Sequence, residues 1–369
     1  MKVNTISLNS VRLNTIAPNH IGEIRSGGGA SKPSPIPQWI REHVVFYYDV
    51  KKQGATNETL KESAYLQDLS GKGRRMKLNN FLFAEMSGVG GYNDNFLKWN
   101  SPSSYGNVEK VSSSEVVIKS LLGVQKGVLY IDLSVKAVNI RCHITGITKE
   151  IEGKFVFQYN KQGNKHIILK DGDFEFDSES LSLGSKNGWV GFTTLEVIDN
   201  CNITITQIPE YPGALVTDGV GDYGLVENMS SGVKMLFMTV NPIGDYNSRK
   251  DYYSQIKKYG DDFRVIAYPN DIAYNYENPN NVTYINGVLN KSIYPEELFD
   301  IKHTFTIVNN AVPLSEDRTC VFFRYNLGDD YYSRIAFYNS IAFDSIPTEA
   351  DGFTEQELID YVLTNIIGQ

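Results

Sequence analysis

The sequence predicts an all-β fold on three observations. After the first 38 residues, the chain consists almost entirely of short runs in which β-branched and aromatic residues alternate with polar ones. Gly, Asn, Asp and Pro separate these runs at the short spacing that is typical of a sandwich or jelly roll. Aromatic residues make up 12% of the chain, with 23 Tyr and 18 Phe, and aromatic side chains favour strands.

Length and charge narrow the classes of function. A chain of 369 residues, 41% of them hydrophobic, is long enough for two domains of ~100–200 residues. The formal net charge of −8 argues against a nucleic-acid partner, because phosphate binding needs clustered Lys and Arg. No run approaches the ~18 apolar residues of a membrane span, so we expect no membrane insertion. The N-terminus also lacks the apolar run of ~7–15 residues of a secretory signal, which predicts folding in the cytoplasm or export without a Sec signal.

Residues 1–25 form a short arm with β-like alternation, followed by a Gly/Pro linker at residues 26–38. The alternating apolar positions of the arm are Val3, Ile6, Leu8, Val11, Leu13 and Ile16. Some 25 residues cannot bury a core alone, so we expect a docking arm that adds strands to a partner or to its own oligomer. A frayed terminus and a hairpin packed on the main body are the alternatives. Residues 26–31 of the linker are Gly-rich, and residues 32–37 predict a stiff polyproline-like spacer.

Eight runs in the rest of the chain are typical of strands. They are Val44–Tyr48, Val128–Val135, Val138–Ile147, Lys154–Tyr159, Asn202–Ile208, Lys234–Val240, His303–Val308 and Cys320–Tyr325. Asn286-Gly287 lies between two further apolar pairs and predicts a hairpin, because a type I′ turn needs positive φ at both central residues. The three widely spaced cysteines, Cys142, Cys201 and Cys320, form no CxxC pair and are expected to be small buried apolar side chains.

One helix is predicted, at the C-terminus. Thr354 is a suitable N-cap, and Glu357 completes a capping box. Leu358, Val362 and Ile366 then share one face at helical spacing. We expect this helix to cover a sheet and to take no part in chemistry.

Four segments resemble motifs of laminin-G-like, concanavalin-type sandwiches. They are Asp68–Gly73, Ala214–Tyr223, Thr283–Val288 and Arg334–Asn339, in the family's order. The chain departs from the motifs at Ser333 and Gly221, where the family has Gly and Asp. The resemblance implies a concanavalin-like sandwich with a short C-terminal helix.

The spacing of the first two motifs predicts an inserted domain. In the family these motifs lie within a few tens of residues, whereas here ~140 residues separate them. We therefore expect one sandwich from residues 39–100 and 210–369, interrupted by a second β-sandwich at residues 101–209, which is long enough for a domain. The alternative is a single elaborated sandwich with long excursions.

Most of residues 44–223 also resembles virion proteins of tailed phages that infect gut Bacteroides. The similarity is carried by residues 44–49, 52–58, 68–71, 86–92, 201–205 and 208–219. It implies a non-enzymatic virion component, either a head fibre or decoration protein or a tail-fibre type, assembled in the bacterial cytoplasm. Other virion proteins would bind residues 1–25, and we expect a homo-oligomer with lectin-like domains for glycan or host-surface adhesion. A free carbohydrate-binding module or bacterial adhesin is the alternative, followed by a glycan depolymerase.

The depolymerase alternative depends on a row of carboxylates. On a strand, Asp173, Glu175, Asp177 and Glu179 share one face, and Phe174 and Phe176 share the other. Glycosidases use such pairs as acid and nucleophile. A solvated outer face with phenylalanines in the core explains the row equally well, and we name no catalytic residue.

Two binding sites are predicted from the same sequence. Asp68, Asp218 and Asp222 could bind calcium, an ion that prefers hard oxygen ligands, although such Asp residues also pin turns. No other cofactor is expected. The chain between residues 252 and 332 is rich in Tyr and Asn, which suits stacking and hydrogen bonding of sugars. The candidate carbohydrate residues are Tyr252, Tyr253, Tyr274, Tyr276, Tyr331 and Tyr332. These tyrosines would also suit subunit interfaces.

Overall fold

A computed structural model describes most of the chain. The described residues are 34–132, 138–159, 165–177, 188–229, 232–244, 250–257, 260–268, 271–274, 282–290, 300–309, 318–324 and 332–368. Only the backbone is described for residues 159, 165, 228, 250–257, 260–268, 271–274, 290 and 318. The docking-arm residues Val3, Ile6, Leu8, Val11, Leu13 and Ile16 lie outside the described residues.

The described residues form 24 strands, which confirms the all-β prediction. From the N-terminus they are β1 Val44–Asp49, β2 Tyr65–Leu66, β3 Met76–Asn79, β4 Gly88–Val89, β5 Gly106–Lys110, β6 Glu115–Leu121, β7 Leu129–Asp132, β8 Asn139–Thr145, β9 Phe155–Tyr159, β10 Lys165–Ile168, β11 Gly172–Asp177 and β12 Trp189–Thr194. The others are β13 Ile203–Gln207, β14 Leu215–Val216, β15 Tyr223–Met229, β16 Met235–Pro242, β17 Lys250–Lys257, β18 Gly260–Tyr268, β19 Asp271–Tyr274, β20 Val282–Ile285, β21 Val288–Asn290, β22 His303–Val308, β23 Arg318–Phe322 and β24 Ile335–Phe343. Each of the eight predicted runs overlaps one of these strands.

Strands β1–β4 and β14–β24 form the first sandwich. One sheet has the order β21-β20-β22-β16-β24-β14-β4, with β1 also paired to β24, and the other has the order β19-β18-β17-β23-β15-β3-β2. All named strand pairs in it are antiparallel. Their shared core contains buried side chains of both sheets, among them Phe46, Met238, Phe322 and Phe337.

Strands β5–β13 form the second sandwich. Its sheets have the orders β10-β9-β12-β7 and β11-β8-β13-β6-β5. Phe155, Phe157, Phe176 and Phe192 pack in its core, with ring centroids 3.8–5.9 Å apart. All nine strands lie between residues 106 and 207. Whether residues 101–209 fold as an independent domain stays a prediction.

Three α-helices accompany the strands: α1 Pro35–His43, α2 Asn57–Ser63 and α3 Glu355–Tyr361. Short 3₁₀ turns lie at Phe96–Lys98 and Glu349–Asp351, and α3 continues into a π-helical turn at Val362–Ile367. The predicted capping box of the last helix is confirmed, since Thr354 and Glu357 each bind the other's backbone N–H. The helices α1 and α3 pack on the outer face of the sheet that contains β1, β16 and β24. The predicted covering role of the C-terminal helix is therefore confirmed.

Helix α1 was not predicted and replaces the end of the expected spacer. Residues 35–38, assigned above to the linker, form its first turn. Pro35 suits the first helical position because its φ is already fixed and its missing N–H is not needed there. Trp39 and Ile40 are buried against the first sandwich, and this burial stabilises a helix too short to show a periodic pattern.

The other local predictions agree with the structure. Asn286 and Gly287 have φ values of 49° and 82° and join the paired strands β20 and β21 as the expected type I′ turn. Cys142, Cys201 and Cys320 are buried and free, as expected. In the described part of the chain, no helix has the length and apolar character needed to cross a membrane.

Two chain segments join the sandwiches and run side by side. The Gly90 N–H donates to the Ala214 carbonyl oxygen at 2.8 Å, and the Tyr211 N–H donates to the Gly90 carbonyl oxygen at 2.8 Å. A Cβ on Gly90 would lie 2.9 Å from the Pro209 Cβ, so the glycine permits this close approach. The junction is therefore a hydrogen-bonded pair of segments and not a single flexible linker.

Candidate functional site

The candidate site is built around residues 217–222, the loop between β14 and β15. The Asp218 N–H donates to Asp222 Oδ2 at 2.9 Å. Asp218 Oδ1 accepts from the N–H groups of Val220 and Gly221, at 2.8 and 3.2 Å. These contacts close the loop on itself, in the manner of an Asx turn.

Two neighbouring segments hold this loop in place. Thr217 Oγ1 donates to the Ser333 carbonyl oxygen and accepts from the Ile335 N–H at 2.9 Å. The Asn80 side-chain amide donates to the Gly221 carbonyl oxygen at 3.0 Å. The loop therefore lies between the start of β24 and the turn after β3.

Asp222 is the most perturbed acid of this site. It is fully buried, and burial raises the pKa of its carboxyl group from 3.8 to about 7. The Asp218 N–H and the Ser87 hydroxyl act in the opposite direction, because they stabilise the charged form. A carboxyl group that titrates near neutral pH is a common mark of a functional site.

Tyr223, which follows this acid in the chain, and Tyr332 both contact Arg324. Its guanidinium carbon is 5.1 Å from the ring centroid of Tyr223 and 4.8 Å from that of Tyr332. The two ring centroids are 6.5 Å apart. Arg324 is 9% exposed, whereas both tyrosines are half-buried. We call Tyr223, Arg324 and Tyr332 the Tyr–Arg cluster; cation–π contacts of this kind fix ring positions.

The backbone around the site is strained. Asn80, Phe83, Glu85 and Phe323 have φ values of 64°, 52°, 53° and 68°. Positive φ is rare for residues other than glycine, and it is a clear outlier for a bulky residue such as Phe. Such strain costs about 1–3 kcal/mol per residue and tends to concentrate at functional sites.

The two loops also expose aliphatic side chains to solvent. Leu82 is 65% exposed and Val220 is 77% exposed. The Asn80–Gly221 hydrogen bond joins the turn of Leu82 to the loop of Val220. The two loops thus expose aliphatic groups beside backbone polar groups, a composition that suits a ligand with both apolar faces and hydroxyl groups.

The three predicted calcium ligands lie in two different loops. Asp218 and Asp222 share residues 217–222, as described above. Asp68 follows β2, and its carboxylate accepts from the N–H groups of Tyr47, Ser70 and Arg74 at 3.0, 2.9 and 3.0 Å. No group of three or more His, Cys, Asp or Glu suited to a metal ion is found among the residues that the structure describes. Calcium binding stays a prediction.

The predicted carbohydrate tyrosines are described to different extents. Tyr332 belongs to the Tyr–Arg cluster. Tyr252 and Tyr253 lie in β17 and Tyr274 in β19, where only the backbone is described. Tyr276 and Tyr331 lie outside the described residues.

The carboxylate row lies on the second sandwich as its alternation predicts. Asp173 and Glu175 are exposed, and Phe176 is buried in the core. Asp173 Oδ1 is 2.5 Å from His143 Nδ1 on the neighbouring strand β8. Glu179 lies outside the described residues. The described part of the row is therefore an outward face of a sheet.

Two residues of the Tyr–Arg cluster were not singled out from the sequence. Tyr223 ends the Ala214–Tyr223 motif, but the motif indicated a fold and not a contact. Arg324 follows Cys320 and Phe322 at alternate positions of the same run, and both of those side chains are fully buried. The sequence did contain one indication of this contact. Arg324 occupies a position that the alternation predicts to be buried, and a buried cation needs a partner.

The chain matches no family model, no curated protein and no solved structure. A proposal of function therefore depends on the residues and on the geometry described above.

Proposed function

We propose that this chain is a structural and adhesive component of a phage virion, and that its Tyr–Arg cluster binds glycan. The observation that carries the adhesive function is the contact of Arg324 with both Tyr223 and Tyr332. The cluster holds two half-buried rings at fixed positions beside a loop whose carboxylates are tied to the backbone. Sugars stack their apolar faces on such rings.

The virion assignment is supported by the sequence resemblance and by the proposed docking arm. A head fibre or decoration protein and a tail-fibre protein are both compatible with residues 1–25 as an anchor. Repetition on a particle would multiply weak sites, because linked binding events raise the effective concentration of the second partner.

Binding of the full chain to immobilised capsular polysaccharides of gut Bacteroides tests the adhesive function. Tyr332→Ala should weaken binding about fivefold, since a stacked ring contributes on the order of 1 kcal/mol. Tyr65→Ala is the matched control, because Tyr65 makes a similar cation–π contact with Arg75 at 4.4 Å in β2. Equal binding by wild type and both variants would reject the cluster as the glycan site.

Purified virions test the structural function. An antibody against residues 101–209 should label particles in electron micrographs, and mass spectrometry should detect the chain in them. Glycan binding by a chain that is absent from particles would instead favour the free carbohydrate-binding module or adhesin.

A further inference from the structure

The second sandwich carries an aromatic pair on the outer face of its four-stranded sheet, which has the order β10-β9-β12-β7. Leu129, Ile131, Val190 and Phe192 of β7 and β12 point into the core. Because side chains alternate along a strand, Tyr130 and Trp189 lie on the opposite face. Both are half-buried, and their ring centroids are 5.6 Å apart with planes inclined at 58°.

A glycine lies beside this pair in the sheet. The register pairs Gln158 of β9 with Gly191 of β12, and Gly191 with Tyr130 of β7. A Cβ on Gly191 would lie 2.2 Å from the Leu129 carbonyl oxygen and 2.5 Å from the Tyr130 Cα. The glycine therefore permits a close approach of β7 and adds no side chain of its own between Gln158 and Tyr130, whose Cα atoms are roughly 10 Å apart across two strand spacings.

Gln158 lies on the other side of this glycine and has an unpaired polar atom. The residue is 2% exposed, and its Oε1 has no hydrogen-bond partner among the described residues. Buried polar atoms of native proteins are almost always paired. This acceptor, buried near an aromatic pair, therefore has room for a donor that is not among the described residues.

We propose that this face of the second sandwich binds a neutral saccharide. The apolar face of a sugar ring stacks on Tyr130 and Trp189, and one of its hydroxyl groups donates to Gln158 Oε1. Asp132 is exposed and paired in register with Trp189, so its charge disfavours anionic sugars. The site is separate from the Tyr–Arg cluster, and it does not depend on whether the chain is part of a virion.

Tryptophan fluorescence and affinity electrophoresis of the full chain test this site. The other two tryptophans, Trp39 and Trp99, are 4% and 1% exposed, so Trp189 dominates any response to an added sugar. We expect at least one of laminarin, xylan, galactomannan and amylopectin to shift the emission and to retard migration at up to about 10 mM sugar units, the range of weak single sites. Hyaluronan, an anionic probe, should do neither.

Variants separate this site from the Tyr–Arg cluster. Trp189→Ala should abolish retardation, and Gln158→Leu, which keeps the volume but removes the acceptor, should weaken it about tenfold. Tyr332→Ala is the control and should leave the Trp189 response unchanged. Thermal unfolding of each variant shows whether it is folded.

Three results would overturn the proposal. The first is no response to any of the four neutral polysaccharides. The second is full retardation of folded Trp189→Ala or Gln158→Leu, which would mean that water alone pairs the Gln158 oxygen. The third is a response lost only in Tyr332→Ala, which would assign sugar binding to the Tyr–Arg cluster and leave the proposed function intact.

Discussion

At the scale of single residues, the burial of Asp222 makes the stability of the folded state depend on pH. The carboxyl group is excluded from water, and desolvation disfavours its charged form. The backbone N–H of Asp218 compensates only in part. The folded protein therefore holds a proton on Asp222 at pH values at which the unfolded chain has lost it.

This shift predicts that the folded state loses stability between about pH 4 and pH 7. The folded pKa of about 7 lies above the ordinary 3.8, so the native state binds more protons in this window and stability falls as the pH rises. The substitution Asp222→Asn removes this contribution to the pH dependence of stability. The variant should gain up to roughly 4 kcal/mol relative to the wild type from pH 4 to pH 7.5, at about 1.4 kcal/mol per pH unit.

Urea unfolding across this pH range measures the difference between the two proteins. Glu175→Gln removes one negative charge from an exposed side chain and serves as the control. If the two carboxyl-to-amide variants show the same pH profile, burial of Asp222 is not the cause.

Residue types of the candidate site were predictable, but their partners were not. Asp218 and Asp222 were selected from the sequence as candidate calcium ligands, and Tyr332 was selected because Tyr suits sugars. The contact of Tyr223 with Arg324 depends on the pairing of β15 with β23, which joins residues about a hundred positions apart. Local patterns do not specify such a register.

At the scale of elements, predictions succeeded where the signal is local. The capping box at Thr354 and the turn at Asn286-Gly287 each depend on a few adjacent residues. Helix α1 depends instead on tertiary contacts, since Trp39 packs on Phe343 at 5.3 Å and on Phe353 at 5.9 Å. Without knowledge of those contacts, the proline-rich start of α1 predicts a spacer.

The β20–β21 turn supports the C-terminal helix, and this yields a second prediction. Gly287 has φ 82°, a Cβ there would lie 3.0 Å from Leu363 Cδ1, and its carbonyl oxygen accepts from the Gln356 side chain at 3.1 Å. Gly287→Ala should lower the free energy of unfolding by about 1–2 kcal/mol, because an L-residue is strained at this φ. Chemical denaturation measures the loss.

Gly54 provides the matched control for Gly287. It has φ 59°, and a Cβ there would meet nothing within 4 Å, so Gly54→Ala reports the backbone strain alone. We expect Gly287→Ala to cost more than Gly54→Ala and to speed proteolysis of the C-terminal helix. Equal losses would show that the turn does not support the helix.

At the scale of the whole molecule, the described residues of the two sandwiches form separate cores, and a polar junction joins them. The Asn93 side-chain amide donates to Glu210 Oε1 at 3.1 Å, and Arg141 Nε of β8 lies 3.5 Å from the same oxygen. The Gln207 side-chain amide donates to the Asp94 carbonyl oxygen at 3.0 Å. Both ends of the second sandwich therefore leave the first at the same place.

Because its two ends are adjacent and its core is its own, the second sandwich should fold alone. Residues 93–209 contain Phe96 and Trp99, which lie before the predicted boundary at residue 101 but pack in that core. We expect this fragment to unfold cooperatively, whereas a fragment of residues 101–209 should be less stable because it lacks both rings.

Replacing residues 95–206 with Gly-Ser-Gly should leave the first sandwich folded, since the Gly90–Ala214 hydrogen bond remains. Calorimetry and near-ultraviolet circular dichroism test each piece. If neither piece unfolds cooperatively, the chain is a single elaborated sandwich in its energetics, and the division into two sandwiches describes only its topology.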